Sequence, residues 1–80
     1  MEMYKAEGKG KFWNGNDIYT VKLNGQWYVL DGWNGERYTD CWAVKDEEGL
    51  NRVNSDIYEI SPVERENKNG DFEVIGYEVR

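Results

Sequence analysis

The residues that could do chemistry in this chain concentrate in segment 31–41, around Trp33. Three carboxylates, those of Asp31, Glu36 and Asp40, flank this tryptophan in the sequence. A carboxylate pair beside an aromatic ring is the arrangement that glycoside hydrolases use, but a domain of 80 residues has little room for a substrate cleft. Cys41 could act as a nucleophile, although a free cysteine on an alternating strand is more typical of a small buried hydrophobe.

The composition argues against most other chemistry. The chain has no histidine, so it lacks the commonest general base, the Ser-His and Cys-His nucleophile pairs and the imidazole metal ligand. Segment 66–71, ENKNGD, is similar to a calcium loop, but placing Gly70 at the invariant glycine puts Arg65 at the first ligand position and Gly76 at the bidentate glutamate position. We therefore expect no enzymatic activity, no metal site and no cofactor.

Aromatic residues make up 15% of the chain, more than one small core can hold. We predict that the core takes Trp27, Trp42 and Tyr58. Other rings lie in or beside Asn-Gly turns, where burial is hard and where exposed rings act as interface anchors. The predicted binding site consists of these rings and their charged neighbours: Trp13, Trp33, Tyr38, Arg37, Glu36 and Asp40. Flat rings in this setting could equally stack on a nucleobase or a sugar.

Segment 18–45 must position most of these residues, and it is predicted to form three strands. Tyr19, Val21 and Leu23 alternate with the intervening residues, which is typical of a half-buried strand. Asn24-Gly25 then predicts a type I′ hairpin, with a return strand over 27–30.

Two turn dipeptides, Asp31-Gly32 and Asn34-Gly35, follow the return strand and place Trp33 on a loop. A third strand is predicted over 37–44. Its apolar face would carry Tyr38, Asp40, Trp42 and Val44, with Asp40 as the one misfit.

The remaining segments complete an all-β pattern. Residues 1–11 are expected to form either a flexible connection or an edge strand, and 50–56 either a short strand or one helical turn. Further strands are predicted over 56–63, where Pro62 would either stop the hydrogen-bond ladder or mark an edge, and over 71–79. A charged connector over 64–69 and an Asn69-Gly70 turn separate them. No helix of two turns is predicted, so we expect one domain over 1–80, a small antiparallel sandwich or barrel of five to six short strands.

The short strands, the early hairpin, the acidic connector and the late strand DIYEISPV over 56–63 resemble the SH3-like small β-barrels of phage and mobile-element accessory proteins. The resemblance spans most of residues 12–79. It concerns architecture alone, because the signature of a proline-rich-ligand site is missing. It implies a binding module that acts without chemistry.

The charge limits the choice of partner. The formal net charge is −6, and residues 41–80 hold ten acidic and five basic side chains, which gives −5 for that half. Such a surface repels nucleic acid, so it either keeps the protein in solution or imitates nucleic acid toward a basic protein. A single cysteine suggests a reducing compartment, and no segment is apolar enough for a membrane span or a signal peptide. We expect a cytoplasmic protein, in the host cytoplasm if it is phage-encoded.

Two functional hypotheses follow. In the first, the chain is a non-catalytic protein-binding module, of the kind of an acidic phage inhibitor of a host protein. In the second, a homo-oligomer uses the turn aromatics to sequester a nucleotide-like ligand, for which the available cations would be Arg37, Lys22 and Arg52.

Overall fold

The computed structural model describes residues 3–10, 19–48 and 51–80. These residues form two antiparallel sheets, one in the order β1-β8-β7 and one in the order β2-β3-β4-β5-β6. The strands are β1 (Met3–Tyr4), β2 (Ala6–Lys9), β3 (Tyr19–Leu23), β4 (Gln26–Leu30), β5 (Trp42–Val44), β6 (Arg52–Val53), β7 (Ile60–Glu66) and β8 (Phe72–Val79). The predicted all-β class is confirmed. The described residues contain eight strands rather than five or six, because short pairings form near the N-terminus and at residues 52–53.

Helical structure is absent from the described ranges, so they contain no helix that could cross a membrane.

The β3–β4 hairpin forms as the sequence predicts. Asn24 and Gly25 both have positive φ, 52° and 83°, as a type I′ turn requires. Pairing of Val21 with Tyr28 sets the register. Because directly paired residues share one face of a sheet, both side chains point into the core.

The third predicted strand is shorter than expected and has the opposite orientation. Only Trp42–Val44 is strand, and Ala43 pairs with Tyr28. Since the first hairpin turns Tyr28 inward, Ala43 must also face inward, and Trp42 faces the other side of the sheet. Cys41 is buried, as predicted, whereas Asp40 is exposed.

The core lies between the two sheets and is built from aliphatic residues and tyrosines rather than from tryptophans. Its buried members are Val21, Leu23, Tyr28, Leu30, Cys41, Ala43, Ile60 and Tyr77. The predicted core was wrong for Tyr58, which is 62% exposed. Trp27 and Trp42 are only half-buried, and Trp42 lies under the Arg52 guanidinium, 4.2 Å from its ring centroid. Tyr28 and Ala43 face inward. Because side chains alternate along a strand, the preceding residues Trp27 and Trp42 lie on the outer face of the sheet.

Strand β7 is displaced along the chain from its predicted position, because it begins at Ile60 rather than at residue 56. Residues 64–66, expected in a connector, continue β7 and pair with residues 72–74. The hairpin closes through hydrogen bonds from the Asn67 amide to the Asp71 carbonyl and from the Gly70 amide to the Asn67 carbonyl. Gly70 has φ of 83°, so the predicted Asn69-Gly70 turn is confirmed.

The chain passes between the sheets from β1 to β2, with only Lys5 between them, and again from β6 to β7. Backbone pairing also links the two parts, because Tyr38 pairs with Ile60 across the outer edge of β7. Pro62, two residues further along β7, lies on this edge strand as predicted.

Candidate functional site

Residues 31–40 fold into a small hairpin of their own that carries Trp33. Backbone hydrogen bonds run from Asp40 to Asp31, from Thr39 to Gly32 and from Asn34 to Arg37. The Asn34 side-chain oxygen accepts hydrogen bonds from the amides of Glu36 and Arg37, both at 2.9 Å. These contacts hold the tip of the hairpin, which we call the Trp33 hairpin, in one conformation.

The returning limb of the Trp33 hairpin is attached to β7. The amides and carbonyls of Tyr38 and Ile60 exchange two hydrogen bonds, at 2.8 and 3.0 Å, and the Cys41 amide donates to the Tyr58 carbonyl. The Ser61 hydroxyl donates to the Glu36 carbonyl at 3.2 Å. The hairpin is therefore anchored to the three-stranded sheet as well as to β4 and β5.

Trp33 and Tyr38 form one aromatic unit at this position. Their ring centroids are 4.8 Å apart with an interplanar angle of 48°, a distance at which aromatic pairs attract. Trp33 is 50% exposed, whereas Tyr38 is more enclosed and packs against the core cluster. One ring thus faces solvent and packs on a second ring that reaches toward the core.

A chain of tyrosine hydroxyls supports this unit from below. The Tyr38 hydroxyl donates to the Tyr19 hydroxyl at 2.9 Å, and the two rings meet edge to face at 5.6 Å. Tyr19 in turn hydrogen bonds with Tyr77. Burial raises the pKa of both Tyr19 and Tyr77, so these hydroxyls stay neutral and keep their hydrogen bonds over the physiological pH range.

The charged residues beside the aromatic unit largely neutralise one another. Arg37 lies 3.8 Å from a Glu36 oxygen and 3.9 Å from a Glu59 oxygen, and Arg80 lies 3.8 Å from the same Glu59 oxygen. A cleft of about 30 Å³ between Arg37, Glu59 and Arg80 has room for a few water molecules but not for a nucleotide.

Two further carboxylates on the Trp33 hairpin have no cationic partner in the part of the chain that the structure describes. Within the described residues neither Asp31 nor Asp40 forms an ion pair. Asp31 accepts a hydrogen bond from the Gly32 amide at 2.7 Å, and Asp40 is exposed. The surface around Trp33 is therefore negative.

Cys41 has a structural role at this site. Its side chain is 6% exposed, its sulfur donates weakly to the Tyr38 carbonyl at 3.6 Å, and burial raises the pKa of the thiol to about 11. A neutral, enclosed thiol is a poor nucleophile.

The structure brings together Trp33, Glu36, Arg37, Tyr38 and Asp40 on one hairpin. Trp13, the sixth predicted site residue, lies outside the described residues. Sequence reasoning missed Tyr58, Glu59, Ser61 and Arg80, which the pairings of Tyr38 with Ile60 and of Cys41 with Tyr58 bring to the site. Among the described residues, no group of three or more acidic, cysteine or histidine side chains is placed to hold a metal ion.

No family model, curated protein or solved structure matches this chain. The assignment of a function therefore depends on the geometry of the Trp33 hairpin.

Proposed function

We propose that this chain is a non-catalytic protein-binding module, with the Trp33 hairpin as its contact surface and a basic region of another protein as its partner. The observation that carries the proposal is the half-exposed Trp33 ring packed on Tyr38 at 4.8 Å. Tyr38 is itself fixed by the Tyr19 hydroxyl.

A tryptophan held in this way is suited to be the anchor of an interface. Its large ring buries much apolar surface on contact, and truncation of such anchors commonly costs about 2 kcal/mol or more of binding free energy. Since Tyr38 and the turn around Asn34 already restrict the hairpin, little conformational entropy is lost on binding.

The charge of the site supports a basic partner. Asp31 and Asp40 add negative charge, while the Arg37 guanidinium is shared between Glu36 and Glu59. Negative potential around an apolar anchor speeds encounter with a basic surface and disfavours acidic ones. An inhibitor of this kind would compete with nucleic acid for a basic groove on its target.

A nucleotide-sequestering function has less support. The cations expected to bind the phosphate include Arg37, which already faces two carboxylates, and Arg52, which covers Trp42. The cleft beside Arg37 would need a second subunit to complete a ligand-sized pocket.

The test is affinity capture with the immobilised chain from a bacterial lysate at low salt, followed by elution with increasing sodium chloride. We expect a basic protein to be retained by the native chain, to elute as salt rises, and to be lost with Trp33→Ala. Binding energy from one anchor of this kind predicts a loss of affinity of about 30-fold or more.

The matched controls separate charge at the site from charge elsewhere. Glu36→Gln with Asp40→Asn should weaken binding, whereas Glu47→Gln with Glu48→Gln removes the same charge from the turn after β5, outside the Trp33 hairpin, and should weaken it much less. A partner that is retained by the Trp33→Ala variant at high salt would contradict the proposal. So would an oligomer that carries a discrete small molecule in native mass spectrometry.

A further inference from the structure

The distal half of the β7–β8 hairpin extends beyond its neighbours. Strand β1 pairs with β8 only at Tyr77 and Glu78, and residues 64–66 and 72–74 pair only with each other in the described structure. All six of these residues are exposed. We call this part, residues 64–74, the arm.

One face of the arm is apolar and acidic. Phe72 pairs directly with Glu66, and Val74 pairs with Glu64, so these four side chains share a face. Phe72 is 70% exposed and Val74 41%. Exposed apolar side chains on a strand whose edges are open are typical of a binding surface.

The opposite face of the arm has a different character. There Arg65 pairs with Glu73, and a guanidinium nitrogen lies 3.5 Å from a carboxylate oxygen. The positive charge of Arg65 therefore points away from Phe72 and Val74, and the arm's other cation, Lys68, lies in the turn between the strands rather than on their paired part. The Phe72 face keeps two carboxylates without a cation on the same face of the paired strands.

The charge pattern of the Phe72 face indicates what kind of molecule can bind there. A second copy placed face to face would bring four carboxylates together around the two phenylalanines, which is unfavourable. Nucleic acid and anionic lipid are repelled for the same reason. A protein segment with lysine or arginine beside apolar side chains satisfies both features of the face.

We propose that the Phe72 face of the arm is a second docking surface, separate from the Trp33 hairpin, for a basic amphipathic protein segment. Its apolar side chains would cover Phe72 and Val74, and its cations would meet Glu64 and Glu66. The open edge of β8 beside Phe72 can supply main-chain hydrogen bonds to an extended segment.

The experiment is an amide chemical-shift titration of the full chain with a synthetic peptide of alternating lysine and valine. We expect the shifts to concentrate at residues 64–66 and 72–74. We also expect the affinity to fall at least fivefold for Glu64→Gln with Glu66→Gln and for Phe72→Ser, whose ring is too exposed to support the fold. A peptide of alternating glutamate and valine should not bind.

Two matched controls give the test its specificity. Glu73→Gln removes the same kind of charge from the opposite face and should leave the affinity at the arm within twofold, and Trp33→Ala should leave the affinity measured from the amide shifts of residues 64–66 and 72–74 unchanged. Equal losses for Glu73→Gln and Glu66→Gln, an absence of shifts at the arm, or self-association that depends on Phe72 would overturn the proposal. The Trp33→Ala control also separates failure here from failure of the proposed function.

Discussion

Cys41 and two of the tyrosines are titratable groups that the fold has taken out of water. Burial raises the pKa of Cys41 to about 11 and raises those of Tyr19 and Tyr77 as well. Each group is thus held in its neutral form, since ionisation would place a charge in a position that is poorly solvated.

This arrangement predicts a loss of stability at alkaline pH. Below about pH 9 the thiol is protonated in both the folded and the unfolded chain, so Cys41 contributes no pH dependence. Between about pH 9 and 11 the unfolded chain loses its proton while the folded chain keeps it, and the free energy of unfolding should fall by on the order of 2 kcal/mol. Urea unfolding at intervals from pH 7 to 11 measures this fall.

The control is Cys41→Ala. Its unfolding free energy should stay level until the tyrosines begin to ionise in the unfolded chain, near pH 10. The same decline between pH 9 and 10 in both proteins would show that Cys41 is not responsible.

At the residue scale the sequence predicted part of the site. Asn-Gly turns gave Trp33 an exposed position, because a turn is a local property of the chain. The same approach failed for Tyr58, whose apolar strand pattern suggested burial. Its backbone is paired with Cys41 and Arg80, and no local pattern indicates that this pairing leaves the ring 62% exposed.

At the scale of elements, the Trp33 hairpin depends strongly on the glycine at position 32. Gly32 has φ of 71°, and a Cβ at this position would lie 2.9 Å from the Thr39 hydroxyl and 3.1 Å from the Asp40 amide nitrogen. Gly25 also has positive φ, 83°, but a Cβ there would meet nothing within 4 Å.

The two glycines form a matched pair for mutation. Gly25→Ala should cost only the left-handed backbone strain, about 1–2 kcal/mol of unfolding free energy. Gly32→Ala adds the contact with the facing backbone and should cost about 2–5 kcal/mol, while the indole resonance of Trp33 shifts. Urea unfolding and proton NMR of both variants provide the measurement, and equal costs would show that the hairpin yields to the extra methyl group.

Local signals also explain which elements could be predicted. The β3–β4 hairpin and the Asn69-Gly70 turn follow from dipeptides that allow positive φ. The distal part of β7 could not be predicted from the charged run ERE, because cross-strand pairing with β8 outweighs the polar pattern. Ala43 faces inward because it pairs with Tyr28. That partner lies outside the segment whose local pattern was used to predict the third strand.

For the whole molecule, the net charge of −6 is the dominant electrostatic feature. Its four described ion pairs are 3.5 to 3.9 Å long and mostly exposed, so they offset little of the repulsion among the carboxylates. The compact state brings these charges closer together than the unfolded chain does.

Salt should therefore stabilise the protein. Raising sodium chloride from about 10 to 200 mM is expected to raise the Tm by about 2–5 °C, since screening shortens the range of the repulsion. The Glu47→Gln, Glu48→Gln variant, with a net charge of −4 from −6 plus two, should gain less. Thermal unfolding followed by circular dichroism gives both values, and a Tm that falls with salt would mean that ion pairs outweigh repulsion.

The assignment of strands to two sheets lies beyond local prediction. Residues 1–11 were expected to be flexible or an edge strand, and in the structure residues 3–9 form two edge strands, β1 at the edge of one sheet and β2 at the edge of the other. This division depends on contacts with Glu78 and Leu23, which are distant in sequence from each other.

The pairing of Met3 with Glu78 also affects the order in which the strands can pair during folding. Met3 and Glu78 lie side by side, so this ladder closes a loop that contains nearly all the described residues, and the entropic cost of closing that loop opposes the pairing. The β3–β4 hairpin, by contrast, closes a loop of only a few residues. A covalent link between β1 and β8 would make this long-range pairing a local one.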